Sequence, residues 1–404
     1  MSFARRQIKE NNTWDARVIL TYRFRILPSK RQHRALERIL ETQRQLYNAA
    51  LEERIDAFRK AGVTRTFFDQ CKALTEWRKS DDEASSLPVR LQRGTLKRLD
   101  EAYRGFFRRL RAKKKAGFPR FRGRGWFNSF CFQSFSGISL QNGRMRFKGM
   151  PGSLRIHAHR PIPSQNEIRR CIFRRDARGW YVSLATRVLS AAPRSGDRRV
   201  GIDVGVRTLA VLSDGGFVPS LRAARRAARR LRVLQRALAR TAKGSRGRRI
   251  ARNAVARGHA AIARQRANYL HQASARMVRD YDVIAVERMR IEPLARSFLA
   301  KDVLDGSWRT FISMLRYKAE KAGARMIEVD SRNTSQDCSA CSRRVPKRLG
   351  DRYHRCSYCG LQIDRDLNAA RNILNRAGVG PGLRNVADGG MRAGENLVSA
   401  RSAL

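Results

Sequence analysis

Four of the seven cysteines lie close together in two pairs, Cys338-x-x-Cys341 and, after an interval of 14 residues, Cys356-x-x-Cys359. Two such turns suit a tetrahedral zinc ion, each presenting two thiolates, and four sulfur ligands leave no position open for water. The ion expected here is therefore structural. Paired disulfides would need an oxidising compartment, which nothing else in the sequence calls for. Cys71, Cys131 and Cys171 stand alone and are expected to fill core. His354, two residues before Cys356, could replace a thiolate, but the four matched cysteines make it a surface residue or a support behind the ligands.

A second chemistry is written in carboxylates. Only 34 residues are Asp or Glu against 87 Lys or Arg, so acids set among apolar residues stand out. Asp203 sits inside the strand-like run Val200-Gly-Ile-Asp-Val-Gly205. Burial there without a partner or a metal would cost on the order of several kcal/mol. Glu287 closes Val283-Ile-Ala-Val-Glu287, and Asp366 opens the helix-like Asp366-Leu-Asn-Ala-Ala-Arg-Asn-Ile-Leu374. Hard oxygen ligands suit Mg²⁺ or Mn²⁺, and a pair of such ions about 4 Å apart serves phosphodiester hydrolysis. Taken singly, each acid also has a plain structural role: a turn carboxylate, a strand-end ion pair, a favourable charge at a helix N-terminus. Taken together they form a pattern: an Asp on a first strand, a Glu at a strand end after a helical insertion, and an Asp on a later helix. That is the layout of ribonuclease H-like nucleases, in which acids distant in sequence meet.

The elements that must position these residues follow from periodicity. Residues 18–27 read as a strand that Pro28 ends, and Ser29 with Gln32 is a capping-box pattern opening a helix with Leu36, Ile39, Leu40, Leu46, Tyr47 and Ala50 at helical spacing. A second apolar stripe runs from Leu91 through Leu96, Leu99, Tyr103, Phe106 and Phe107 to Leu110. From about residue 130 hairpins take over. Asn142-Gly143 joins 138–140 to 144–147 as a type I′ turn, and 176–179 joins 170–173 to 180–185. With residues 18–27 these strands suggest one β domain into which the helical block is inserted. Residues 193–199 read as a linker to a new domain that begins with consecutive antiparallel strands. Residues 221–270 hold 16 Lys and Arg and no acid, yet Ala224, Ala227, Leu231, Leu234 and Leu238 form an apolar seam. A basic helical hairpin broken near Gly244 and Gly247 is expected there.

The formal net charge of +53 makes the chain a binder of polyanions, and its binding should weaken strongly with salt. With 42% hydrophobic and 8% aromatic residues it can still bury cores, so a wholly disordered basic tail is excluded. No run approaches the roughly 18 apolar residues of a membrane span, and the first ten residues lack the apolar core of a signal peptide. A cytoplasmic, nucleoid-associated protein without a membrane partner is expected. Phe118, Phe121, Trp126 and Phe127, interleaved with Arg120, Arg122 and Arg124, could stack on bases and grip phosphates.

Gly201-Ile-Asp-Val-Gly205, Val286-Glu287, Thr334-Ser-Gln-x-Cys-Ser-x-Cys341 and Cys356-x-x-Cys-Gly-x-x-x-Asp-Arg-Asp-Leu-Asn-Ala-Ala-Arg-Asn-Ile373 together resemble the transposon-encoded TnpB (OrfB) family. So do Tyr22-Arg-Phe-Arg-Ile-Leu-Pro28, Gly117-Phe-Pro-Arg-Phe-Arg122, and Ser307-Trp308 followed by Leu315-x-Tyr-Lys-Ala-Glu320. The resemblance runs from about residue 18 to 375. It implies a bacterial or archaeal RNA-guided DNA endonuclease related to type V CRISPR effectors. Such an enzyme takes a transposon-end guide RNA and cleaves double-stranded target DNA beside a short adjacent motif. Asp203, Glu287 and Asp366 would hold Mg²⁺ or Mn²⁺ in one RuvC-like site; the family's Asp-x-Asn-Ala-Ala pattern prefers Asp366 to Asp364, which is expected to cap the helix.

The implied fold is α+β and multidomain: a wedge-type β barrel (1–30 and 131–195) with an inserted helical recognition lobe (31–130), then a RuvC-like (ribonuclease H-like) α/β nuclease domain (196–375). The last carries the basic insertion 219–279 and an inserted zinc ribbon, 331–362, before a flexible tail, 376–404. Guide pairing would leave the protein to hold an A-form duplex by its backbone, which accounts for the charge. The rivals are a catalytically silent RNA-guided DNA-binding repressor, although all three acids are present, and a transposase-associated DNA-binding protein. A zinc-ribbon RNA binder would leave Asp203 unexplained. Self-association stays open.

Overall fold

The computed structural model describes residues 17–288, 306–348 and 350–379. The first sixteen residues of the expected barrel domain, Leu349 of the expected ribbon and the expected tail from residue 380 lie outside the described residues. The chain divides into two compact units, Met1–Ala192 with Ala227–Gln265, and Pro193–Arg226 with Arg266–Leu404.

In the first unit, β1 (Arg17–Leu27) stops at Pro28 and Ser29 caps α1 (Lys30–Ala61). The capping box is reciprocal: the Gln32 N–H donates to Ser29 Oγ at 3.2 Å, and the Ser29 N–H donates to Gln32 Oε1 at 3.0 Å. Helices α2 (Phe67–Ser80), α3 (Asp82–Ser86) and α4 (Val89–Arg111) follow. The strands β2 (Ser129–Phe132), β3 (Ile138–Gln141), β4 (Arg144–Phe147), β5 (Leu154–His157), β6 (Ile168–Asp176) and β7 (Gly179–Leu189) join β1 in an antiparallel sheet of order β2-β6-β7-β1-β5-β4-β3. β1 pairs with β7 along most of its length and with β5 at its end, so the sheet curls about it into a half-barrel. Asn142 and Gly143 both have positive φ, as the β3–β4 turn requires. Sheet and helices share one continuous core, in which Phe24, Phe130, Phe173 and Trp180 join Leu36, Ile39, Leu91 and Leu99. Phe127 belongs to that core and is 4% exposed, which removes it from the surface set expected to meet nucleic acid.

The basic segment is a helical hairpin, α5 (Ala223–Ala239) and α6 (Arg246–Asp280). A Cβ on Gly258 would stand 3.1 Å from Leu231 and 3.3 Å from Leu234, so the small residue lets the two helices close on their apolar seam. Gly247 lies in the first turn of α6, and the break is at residues 240–245.

The second unit is built on β8 (Arg199–Asp203), β9 (Thr208–Leu212), β10 (Phe217–Pro219), β11 (Val283–Glu287) and β12 (Arg325–Val329), in the order β10-β9-β8-β11-β12. β8, β9 and β10 form an antiparallel meander; β11 runs parallel to both β8 and β12. Helix α7 (Trp308–Lys321), the hairpin β13 (Tyr353–Arg355) and β14 (Gln362–Asp364), and helix α8 (Arg365–Arg376) complete it. Residues 193–199, read as a linker, are fastened down. The Arg194 N–H donates to the Gly323 carbonyl at 2.8 Å and its guanidinium to those of Val278 and Ala322. The buried Asp282 lies so close that a Cβ on Gly196 would fall 2.2 Å from its Oδ2. Among the described residues no helix is long and apolar enough to cross a membrane.

Candidate active site and metal centre

β8 and β11 lie side by side with Ile202 beside Val286, and one residue further each strand ends on an acid, Asp203 and Glu287. Asp203 thus closes its strand rather than sitting inside a longer one. Helix α8 crosses β8 so closely that a Cβ on Gly201 would come 2.1 Å from the Ala370 carbonyl oxygen, an approach only glycine permits. Asp366 lies one turn before Ala370 on the same helix face, and this contact carries it to the strand ends. All three acids line one cavity of about 840 Å³, together with Thr334, Gln336, Lys347, Arg348, Arg352 and Arg365.

Among the described residues the Asp203 carboxylate forms no hydrogen bond or ion pair. Burial, reinforced by the charges of Glu287 and Asp366, pushes its carboxyl well above the ordinary range. Burial also pushes Glu287 up, opposed by a hydrogen bond from the Thr334 hydroxyl. Clustered carboxylates resist ionising together, and a divalent cation among them reverses that preference. The donor chemistry suits a hard cation, although among the described residues the four cysteines alone, and not these three acids, bring their ligand atoms within 4.8 Å of one another. Asp364 is engaged elsewhere: its Oδ1 caps α8, accepting from the N–H groups of Asp366 at 2.8 Å and Leu367 at 3.2 Å.

The four cysteine sulfurs all lie within 4.8 Å of one another, with Cys338–Cys359 and Cys341–Cys356 each 3.6 Å apart. Sulfurs around a tetrahedral zinc with Zn–S of about 2.3 Å would be about 3.8 Å apart, so the cluster fits one zinc ion. His354, expected at the surface or behind the ligands, is fully buried, and its Nδ1 meets the Lys347 ammonium, outside the sulfur cluster. Asparagines of α8 grip the knuckle. Asn368 accepts from the Ser339 N–H at 2.9 Å and donates to the Asp337 carbonyl at 2.7 Å, while Asn372 donates to the carbonyls of Thr334 at 2.8 Å and Asp337 at 2.6 Å. Sequence reasoning missed Thr334, Asn368 and Asn372 as parts of the site. The available signal was two asparagines four residues apart inside a helix, where Asn is a poor former.

In the first unit, Arg120, Arg122, Arg124 and Trp126 all face solvent, Trp126 being 81% exposed. The Arg122 backbone is clasped by Asn48, its N–H donating to Oδ1 at 2.8 Å, and its guanidinium lies over the Tyr47 ring. Arg124 faces Glu41 at 3.4 Å. Phe118 packs edge-on against Tyr103 and Phe106.

Residues 183–297 match a family model described as "Probable transposase", and residues 308–373 one described as "Cas12f1-like, TNB domain". Residues 18–62 match a "Helix-turn-helix domain", although in this chain they form β1 and the single helix α1. A Streptomyces pristinaespiralis protein named as an RNA-guided DNA endonuclease is 32% identical over 365 residues, which cover 87% of this chain and 88% of that one. InsQ of Escherichia coli, named likewise, is 26% identical over 87% of this chain and 91% of its own. The solved structure of a Cas12f1-sgRNA-target DNA complex shares the fold, with a TM-score of 0.53 at 14% identity, covering 84% of this chain and 82% of that one. The chain belongs to the TnpB (OrfB) family.

Proposed function

We propose that the protein is an RNA-guided DNA endonuclease that binds a transposon-derived guide RNA and cleaves double-stranded target DNA next to a short adjacent motif. The observation that carries this reading is the meeting of Asp203, Glu287 and Asp366 at one cavity rimmed by Lys347, Arg348, Arg352 and Arg365. The family relatives named as endonucleases support it. The three carboxylates would hold Mg²⁺ or Mn²⁺. Such ions supply charge neutralisation and Lewis-acid activation to phosphodiester hydrolysis. The chain's own cations bind and orient the phosphates of the strand to be cut. The strand order β10-β9-β8-β11-β12 supports a RuvC-like reading of residues 196–375, with zinc at the four cysteines as a structural ion. The half-barrel would be the wedge-type domain (1–30 and 131–195) and α1–α4 the core of the recognition lobe (31–130). Arg120, Arg122, Arg124 and Trp126 would contact guide or target.

The test compares Asp203→Asn, Glu287→Gln and Asp366→Asn with Asp364→Asn, which keeps a capping side chain, measuring guide-directed binding and cleavage in parallel. The first three should bind without cutting and the fourth should cut. Wild-type protein that binds its target and never cuts would establish the repressor instead.

A further inference from the structure

Glu287 is a long side chain at the end of a strand, and burial alone does not orient it. Its Oε1 accepts a hydrogen bond from the Thr334 hydroxyl; the Ser331 carbonyl, at 3.2 Å, is that hydroxyl's other acceptor. With one proton to give, the hydroxyl favours the ionised carboxylate, the stronger acceptor. Oε2 is left without a hydrogen bond among the described residues, on a side chain that lines the cavity. Thr334 itself cannot swing. It is 4% exposed, and Asn372 binds its carbonyl and that of Asp337, the residue before Cys338. We infer that Thr334 is a positioning residue for Glu287, through which the cysteine knuckle sets the orientation of the acid. This rests on the reading of Glu287 as a ligand of the cleavage metal.

Partners of this kind behind a metal-binding carboxylate change metal affinity or activity by roughly 10- to 100-fold when removed. The experiment uses the RNA-loaded protein and the variants Thr334→Val, which keeps the shape, Thr334→Ser, which keeps the hydroxyl, and Glu287→Gln. Four quantities are read: the Mg²⁺ concentration for half-maximal cleavage, Mn²⁺ binding by electron paramagnetic resonance, target binding, and zinc content. Thr334→Val should raise the half-maximal Mg²⁺ concentration and weaken Mn²⁺ binding by about 10- to 100-fold. Its target binding and zinc should match wild type, and Thr334→Ser should restore the metal response. Thr334→Val with a wild-type metal response, alongside an inactive Glu287→Gln, would overturn the inference; so would a Thr334→Ser that fails as Thr334→Val does. A Glu287→Gln that cuts at the wild-type rate would instead overturn the reading of Glu287 beneath it.

Discussion

Two anionic clusters share helix α8 and are built in opposite ways. The sulfur cluster is local, drawn from residues 338 to 359, and its four atoms close on a point. The carboxylate cluster gathers residues 203, 287 and 366 from two strands and a helix, and it opens into a cavity with room for a substrate. Soft thiolates in a closed set suit an ion held for shape, whereas the hard oxygens of the open set are satisfied by the protein only in part, by Thr334 on Glu287 and by Arg365 on Asp366 at 3.4 Å. Burial raises the carboxyls of Asp203 and Glu287, while the surrounding Lys and Arg suit a phosphate strand. Such a region stores its function in imperfect pairing, and its neighbour stores stability in complete pairing.

The largest effect should come from the open cluster. Asp203→Asn and Glu287→Gln should each lower guide-directed cleavage by roughly 10³-fold, the several kcal/mol that metal-borne charge stabilisation supplies, with target binding kept. Replacing a thiolate should separate the two clusters in the other direction: Cys356→Ser should reduce bound zinc from about one ion per chain to near none, read by elemental analysis, with a lower Tm. Gly201→Ala should come next. Its Cβ would displace α8 from β8, costing about 1–3 kcal/mol in unfolding experiments, and cleavage should drop while the local cysteine cluster keeps its zinc. The smallest effect is on pH dependence. Because the folded state raises the Asp203 carboxyl, it holds that proton to higher pH than the unfolded chain does. The Asp203 contribution to stability in Mg²⁺-free buffer is therefore greatest below the ordinary carboxyl range near pH ~4 and is lost as pH rises through the folded-state value. Asp203→Asn should flatten that slope in thermal melts.

What could be read from the sequence follows the same division. The cysteine spacing carries its geometry within 22 residues, so a four-sulfur cluster suited to zinc can be read without a fold. Asp203 and Glu287 stood out because acids are scarce among apolar strand residues, but nothing in their spacing states that β8 and β11 are neighbours. The reason Asp366 reaches them is the bare Gly201, a contact between residues 169 apart in sequence that only the packing reveals. Thr334 reads as an ordinary polar residue until its hydroxyl is seen on Glu287. The segment 193–199 looked like a linker because its composition is polar; the buried Asp282 that fixes it lies over eighty residues away. Phe127 follows Trp126 directly in the same basic-aromatic stretch, and its packing against Tyr47 and under Arg98 separates it from the exposed Trp126.

The most direct measurement is cleavage itself. The protein is purified with its co-expressed RNA, the RNA is sequenced, and the complex is incubated with plasmids bearing the matching target beside randomised bases. Wild type is run with Mg²⁺ and with chelator, and Asp203→Asn with Mg²⁺. Cutting that needs the matching target and Mg²⁺, and that vanishes in Asp203→Asn, is the expected result. Metal-dependent cutting that survives Asp203→Asn, or a wild-type complex that binds the target and leaves it intact, would contradict an active site built on these three acids.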